Sequence, residues 1–187
     1  MSRPGKPVPA RPFASIFFVD EQKLRGALTQ MDASLGERCF TSEATPFSRT
    51  DYYTREMGDG IRRIFAAWQN LVDPSSLITI KLETWEIEER HRGSAAGRAV
   101  NLDPGLIEEG RLVLATGKPA HHRPYLGHGI YADLTLIYER KSFRPLPWTY
   151  PDYSEPETIE MLNRLRAQYM KDLRVDSGQK TVDSRVG

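Results

Sequence analysis

The sequence predicts an α+β fold with a ferredoxin-like βαββαβ core, and three observations carry that prediction. FASIFFV (13–19) is a continuous apolar run of strand length. Leu24, Leu28, Met31 and Leu35 follow at spacings of four and three, the period of one helix face. The same alternation then repeats: strand-like segments up to Val72, a helical stretch after Asp73-Pro74, and a short strand at 98–102. Strand, helix, strand, strand, helix, strand is the ferredoxin-like order, with helices packed on a mostly antiparallel sheet.

Each element has a local reason. The first helix starts at Asp20 and stops at Gly36, a residue that can close a helix with positive φ. RCFTSEATPF (38–47) reads as the second strand, residues 49–60 as a polar and aromatic loop, and IRRIFAAWQNLV (61–72) as the third strand. Asp73-Pro74 supplies a capping carboxylate and a proline at the first helical position. In the helix that follows, Leu77, Ile80, Thr84 and Ile87 form one stripe, while Lys81, Glu88 and Glu89 can face water. GSAAG (93–97) ends it, RAVNL (98–102) is a strand, and Asp103-Pro104-Gly105 turns out of it.

Beyond this core the sequence predicts a helix at 106–118, a β-hairpin and a C-terminal helix. The hairpin turns at Gly127-His128-Gly129, and Ile130, Ala132, Leu134, Leu136 and Tyr138 share one strand parity. Ser154 and Glu157 form a capping box ahead of Ile159, Leu162, Leu165 and Tyr169. The domain organisation is a disordered Pro-rich arm (1–12), one α+β domain (13–173) and a disordered tail (174–187).

Composition excludes several classes. A net charge of +1 gives no general attraction to nucleic acid or membranes, so neither is expected as a partner. Apolar runs are too short to span a bilayer. Cys39 is the only cysteine, which rules out an intramolecular disulfide and a cysteine-based metal knuckle and points to a reducing, cytoplasmic setting. No motif specifies a cofactor or an oligomeric state.

The candidate site residues cluster at element ends. Gly117-Lys118 is not a P-loop: Gly110 precedes it by seven positions, Pro119 replaces the hydroxyl, and the pair falls at a predicted helix end. His121 and His122 are adjacent, so on a strand they point to opposite faces, and His128 is too far along the chain to share a metal with His122. Asp103 and Asp133 are the candidate carboxylate partners for such a metal, and one of the adjacent histidines can act as an acid or base with Glu83 or Glu86. Asn101 and Asp103 stand at a strand end, where ligand crevices form. LPWTYPDY (146–153) holds Trp148, Tyr150 and Tyr153 around Asp152, a rigid aromatic loop able to stack a base or sugar.

LVDPSSLITIKLETWEIEE, VNLDPGLI, LVLATGKPAHHRPYLGHGIYADLTL and PLPWTYPDY, with DYYTREMG before them, resemble in this order a bacterial family, number 4416 among the domains of unknown function. The resemblance covers most of residues 13–172 and implies a cytoplasmic bacterial protein. Some members carry the label of GTP-binding protein; the resemblance supplies no catalytic residues.

The expectation is therefore a protein that binds a small anionic ligand or nucleotide, GTP included, through a site other than a P-loop. Lys81 would neutralise a phosphate or carboxylate, Trp148 and Tyr150 would stack, His122 would be donor or base, and Asn101, Asp103, Tyr131 and Asp152 would complete the pocket. Two alternatives stay open: a hydrolase or transferase working through His122 and Asp103, with or without a divalent metal, and an interaction module docking through the aromatic loop or terminal helix.

Overall fold

The computed structural model describes residues 3–47, 56–92 and 97–183. In chain order the elements are β1 (Arg11–Phe18), α1 (Glu21–Leu35), β2 (Arg38–Thr41), β3 (Thr45–Pro46), β4 (Arg62–Trp68), α2 (Leu77–Arg90), β5 (Val100–Ile107), β6 (Arg111–Thr116), β7 (Tyr125–Gly127), β8 (Ile130–Glu139), β9 (Ser142–Pro145) and α3 (Pro156–Asp183). Short 3₁₀ turns at Pro74–Ser76 and Pro151–Ser154 lead into α2 and α3.

The helix signals act as the sequence implies. Asp20 Oδ1 accepts from the backbone N–H groups of Gln22 and Lys23, at 2.7 and 3.0 Å, and so satisfies two donors that a helix start leaves open. Gly36 closes α1 with φ of 89°, where a side chain would also strike Asn70. Asp73 accepts from Ser75 N at 2.8 Å and caps the 3₁₀ turn before α2.

One antiparallel sheet of nine strands organises the chain, in the order β2-β4-β1-β5-β6-β8-β7, with β3 on β4 and β9 on β8. Helix α1 carries the chain from β1 past β4 to β2, and α2 carries it from β4 past β1 to β5. Both lie on one face, where Leu28, Met31, Ile80 and Ile87 pack on Ile16, Trp68 and Leu102. On the other face α3 sets Leu162, Leu165 and Tyr169 against Phe13, Phe65, Leu136 and Phe143. Strand β1 is thus buried along its whole length, which explains its unbroken apolar run. Arg11, at the start of β1, is fully buried and bonds Asp172 of α3, the Trp68 carbonyl and Cys39 Sγ. Cys39 itself is exposed.

Several expectations are corrected. Residues 106–118 are not a helix: they complete β5, turn at Glu108–Gly110 and return as β6, with Ile107 opposite Leu112. The apolar positions of this stretch match a helix period only if the Glu-Glu-Gly break is ignored; the hairpin uses that break as its turn. Asp103-Pro104-Gly105 is not a turn but the extended middle of β5. Gly117-Lys118 consequently follows a strand, not a helix. The single parity expected along β8 is broken by a register slip, since Leu112 faces Leu136 while Val113 faces Leu134, and Asp133 and Thr135 are buried along with Ile130 and Leu136. The first strand starts at Arg11 and Ala10 bridges Val72, inside the stretch read as an arm, and α3 extends to Asp183, inside the stretch read as a tail. Part of the loop read at 49–60 and of the break at 93–97 lies outside the described residues.

Candidate functional site

The pairing of β5 is lopsided. On one side all of β1 pairs with it, from Arg11↔Ile107 to Phe18↔Val100. On the other, β6 pairs only at Gly105↔Leu114, Leu106↔Val113 and Ile107↔Leu112. The sequence explains where this second ladder stops. The N–H and C=O of Leu102 point away from β1 and are taken by side chains of α2: Glu88 Oε1 accepts from Leu102 N at 2.5 Å, and Lys81 Nζ donates to Leu102 O at 2.9 Å. Backbone direction alternates along a strand, so Pro104 faces the same way, towards β6. Proline has no N–H to donate. The β1 ladder asks nothing of that position and continues unbroken. At Gly105 the strands still approach so closely that a Cβ would lie 2.5 Å from Val113 O. Beyond it they part around a cavity of about 670 Å³.

Both faces of the sheet contribute to this cavity. From α2 come Lys81, Trp85 and Glu88; from the segment ahead of α3 come Tyr150 and Asp152. Apolar walls include Phe17, Phe47 and Ile130. A chain of polar contacts runs along the β5 side. Arg98 donates to Glu56 through Nε and one terminal nitrogen, at 2.8 and 2.6 Å, and through the other to Glu88 at 3.0 Å and Asn101 Oδ1 at 2.9 Å. Asn101 Nδ2 donates to Asp103 Oδ2 at 2.8 Å, and Lys81 Nζ stands 3.8 Å from Asp103 Oδ1. Glu88 is only 2% exposed, and burial pushes its carboxyl above the usual range against the pull of Lys81, the Leu102 amide and Arg98. Burial opposes the charge on Arg98 as well, but Glu56 and Glu88 outweigh it and raise its pKa. The Arg98 hydrogen bond holds the Glu56 carboxyl low.

Of the residues singled out in the sequence, the structure brings Lys81, Asn101, Asp103, Tyr150 and Asp152 together around the cavity. Asp152 is locked in a buried ion pair with Arg63. His122, Tyr131 and Trp148 are not among the lining residues. His122 stacks on Trp148 with ring centroids 4.9 Å apart and planes 16° from parallel, and Trp148 Nε1 donates to Leu134 O at 2.9 Å. The carboxylate beside His122 is Asp133, 3.9 Å from Nε2, whereas Asp103 is held by Asn101 and faces Lys81. Tyr131 packs on Tyr125. Glu83 accepts from Ser34 of α1 and Glu86 contacts Arg90, so neither meets the histidines. Arg123 links the histidine wall to the cavity: Nε donates to Asp133 at 2.8 Å and another nitrogen to Tyr150 Oη at 2.9 Å. Among the described residues no group of three or more His, Cys, Asp or Glu side chains could hold a metal ion.

Sequence reasoning missed Glu88 and Trp85. Glu88, read as water-facing, is buried because Arg98 and the Leu102 amide need it. Trp85 lies four residues after Lys81, which puts both on one helix face, and that spacing was the available signal. Trp85 is 56% exposed at the cavity.

These features define an α+β protein whose large antiparallel sheet is split at one ladder around a ligand-sized cavity. No helix among the described residues is long and apolar enough to cross a membrane. The chain belongs to the family described as Domain of unknown function (DUF4416), whose profile matches residues 8–169. No curated protein and no solved structure matches it.

Proposed function

We propose that the protein binds a small phosphorylated ligand, a nucleotide or sugar phosphate, in the cavity between β5 and β6. The observation that supports this best is the opened ladder. A half-buried lysine and a buried glutamate, Lys81 and Glu88, replace a neighbouring strand at Leu102. Well-packed apolar residues would generally hold such a place more stably than buried charge, so the arrangement makes sense where the space itself is used. A volume of about 670 Å³ falls within the size of small-molecule sites. Trp85 and Tyr150 offer exposed aromatic faces at the cavity, and Lys81 and Lys118 offer positive charge there. The site is not a P-loop, because Gly117-Lys118 leads from β6 into bends and a turn and no helix N-terminus follows. We also read the first part of the sheet as ferredoxin-like: the order β2-β4-β1-β5, with each helix crossing over one strand, is that plan, and β6 to β9 continue it on the β5 side.

The test is a thermal-shift screen of the untagged protein with nucleotides and sugar phosphates. A ligand at a hundred times its Kd stabilises by about 2.7 kcal/mol, a rise of roughly 5–10 °C for a chain of this size. Trp85→Ala is expected to weaken the ligand found by roughly tenfold or more, and Lys81→Gln by a similar factor. Trp148→Ala is expected to lower stability by about 2 kcal/mol, through its lost stack and hydrogen bond, with affinity little changed. A flat screen, or a ligand indifferent to Trp85 and Lys81, rejects the proposal.

A further inference from the structure

We infer that the closed end of the cavity, beside the 3₁₀ turn that leads into α3, receives an uncharged ring edge with a hydrogen-bond donor next to an acceptor, as a nucleobase carries. This rests on the proposed ligand site and specifies which way the ligand enters, base innermost. Ser15 and Tyr153 both line the cavity, at 1% and 4% exposure, and the hydroxyl oxygen of each is buried without a hydrogen-bond partner. The strand pairing brings them to one place. Ser15 lies opposite Phe65 of β4, and the Tyr153 ring packs edge-on against Phe65 with centroids 5.9 Å apart. On its other side Ser15 lies opposite Asp103, two residues before Gly105, where β5 and β6 close. Buried polar groups nearly always have partners, so two orphans at the closed end of one cavity mark a place where a ligand's polar atoms complete them.

The surroundings set the chemistry of the guest. Burial first, then the carboxylates of Asp152 and Asp103, hold the Tyr153 phenol well above its usual range, so it stays protonated and can donate. Ser15 is near enough to ease that rise, yet the two hydroxyls do not reach hydrogen-bond geometry with each other. The charges nearby come in opposed couples, Arg63 with Asp152, and Lys81 3.8 Å from Asp103. An anion would meet a carboxylate and a cation would meet an ammonium or a guanidinium, so neither sign is favoured. A hydroxyl can both give and take a hydrogen bond. Two of them answer a C=O beside an N–H, or a ring nitrogen beside an amino group. A sugar turns hydroxyls to every side and would press some of them on the apolar side chains of Leu114 and Ala115 in the same cavity. A base carries its polar atoms in its edge and has apolar faces, so it leaves none stranded.

The experiment is calorimetry on the full chain with the four ribonucleoside 5′-monophosphates and with ribose 5-phosphate, which has a hydroxyl in place of the base. At least one nucleotide is expected to bind roughly tenfold or more tighter than ribose 5-phosphate. Tyr153→Phe and Ser15→Ala are each expected to weaken that nucleotide by roughly threefold to tenfold and to leave ribose 5-phosphate within about twofold. Without ligand, both variants are expected to melt no lower than the unaltered protein, because the hydroxyl removed has no partner to lose. Ribose 5-phosphate binding as tightly as the best nucleotide overturns the base assignment and leaves the ligand site standing. So does a nucleotide whose affinity neither variant changes; variants that then also melt several degrees lower would mark an ordered water as the only guest of the two hydroxyls. Ribose 5-phosphate weakened by both variants as much as the nucleotide would put a sugar hydroxyl in the recess and overturn the base. No binding by any of the five compounds rejects the base assignment, and only a flat result over the whole screen takes the ligand site with it. The nucleotides and ribose 5-phosphate are compared on the unaltered protein, so a variant that fails to fold does not shield the proposal.

Discussion

The two edges of β5 solve one problem in opposite ways. Along β1 its backbone polar groups meet other backbone groups, residue after residue. Along β6 the ladder ends at Gly105, and the Leu102 groups are met by Glu88 and Lys81 instead. A backbone ladder tolerates most side chains, since the partners are present whatever the sequence. A side-chain substitute depends on two particular residues one helix away. The same strand is therefore robust to substitution on one edge and sensitive on the other, and the sensitive edge is the one that encloses space.

Glu88→Ala breaks the comparison hardest. It strips the Leu102 amide and one contact of the Arg98 guanidinium in a buried place, at an expected cost of about 3–5 kcal/mol by urea denaturation. A loss below about 1 kcal/mol would mean that the two edges do not differ as described. Gly105→Ala acts at the last rung. Its methyl would meet the Val113 carbonyl, and forcing the strands apart is expected to lower stability by about 1–3 kcal/mol. An unchanged midpoint would show that β6 yields without strain.

A smaller effect concerns pH. Burial favours the neutral Glu88 carboxyl in the folded chain, so its contribution to stability is complete below the ordinary glutamate range and is lost as pH rises through the raised folded value. Glu88→Gln cannot titrate and is expected to flatten the stability profile from acid to neutral pH; equal slopes in both proteins would refute this. The smallest effect is local. The Leu102 amide is held by a side chain where that of Leu106 is held by the backbone of β6, so Leu102 is expected to exchange hydrogen faster.

Much of the fold was legible because its signals are local. Asp20 and Gly36 bracket α1, Asp73-Pro74 opens the turn into α2, and Gly127-His128-Gly129 reverses β7 into β8, with His128 at φ of 53°. The errors arose where a local rule met a tertiary exception. Asp103-Pro104-Gly105 has turn composition, yet Pro104 stands where β1 asks for no donor, so a strand can hold it. Residues 106–118 could be read as a helix because nothing in the sequence shows that Leu112 and Leu114 will lie on a sheet face under α3. For the site, Lys81, Asn101 and Asp103 could be named from their position at element ends, whereas Glu88 could not. A buried carboxylate looks like any surface one until its partners, here Arg98 and a main-chain amide, are in place.

The register slip on β8 carries a consequence for chains in company. There Trp148 takes the Leu134 carbonyl and Thr149 Oγ1 takes that of Thr135 at 2.6 Å, between the short flanking strands β7 and β9. A bare sheet edge is a template on which a neighbouring molecule can polymerise strand by strand. The stretch of β8 between β7 and β9 offers no such run, because an indole and a hydroxyl already occupy its acceptors. In crowded solution, a strand of a neighbouring molecule cannot pair with Leu134 and Thr135 while those two bonds hold.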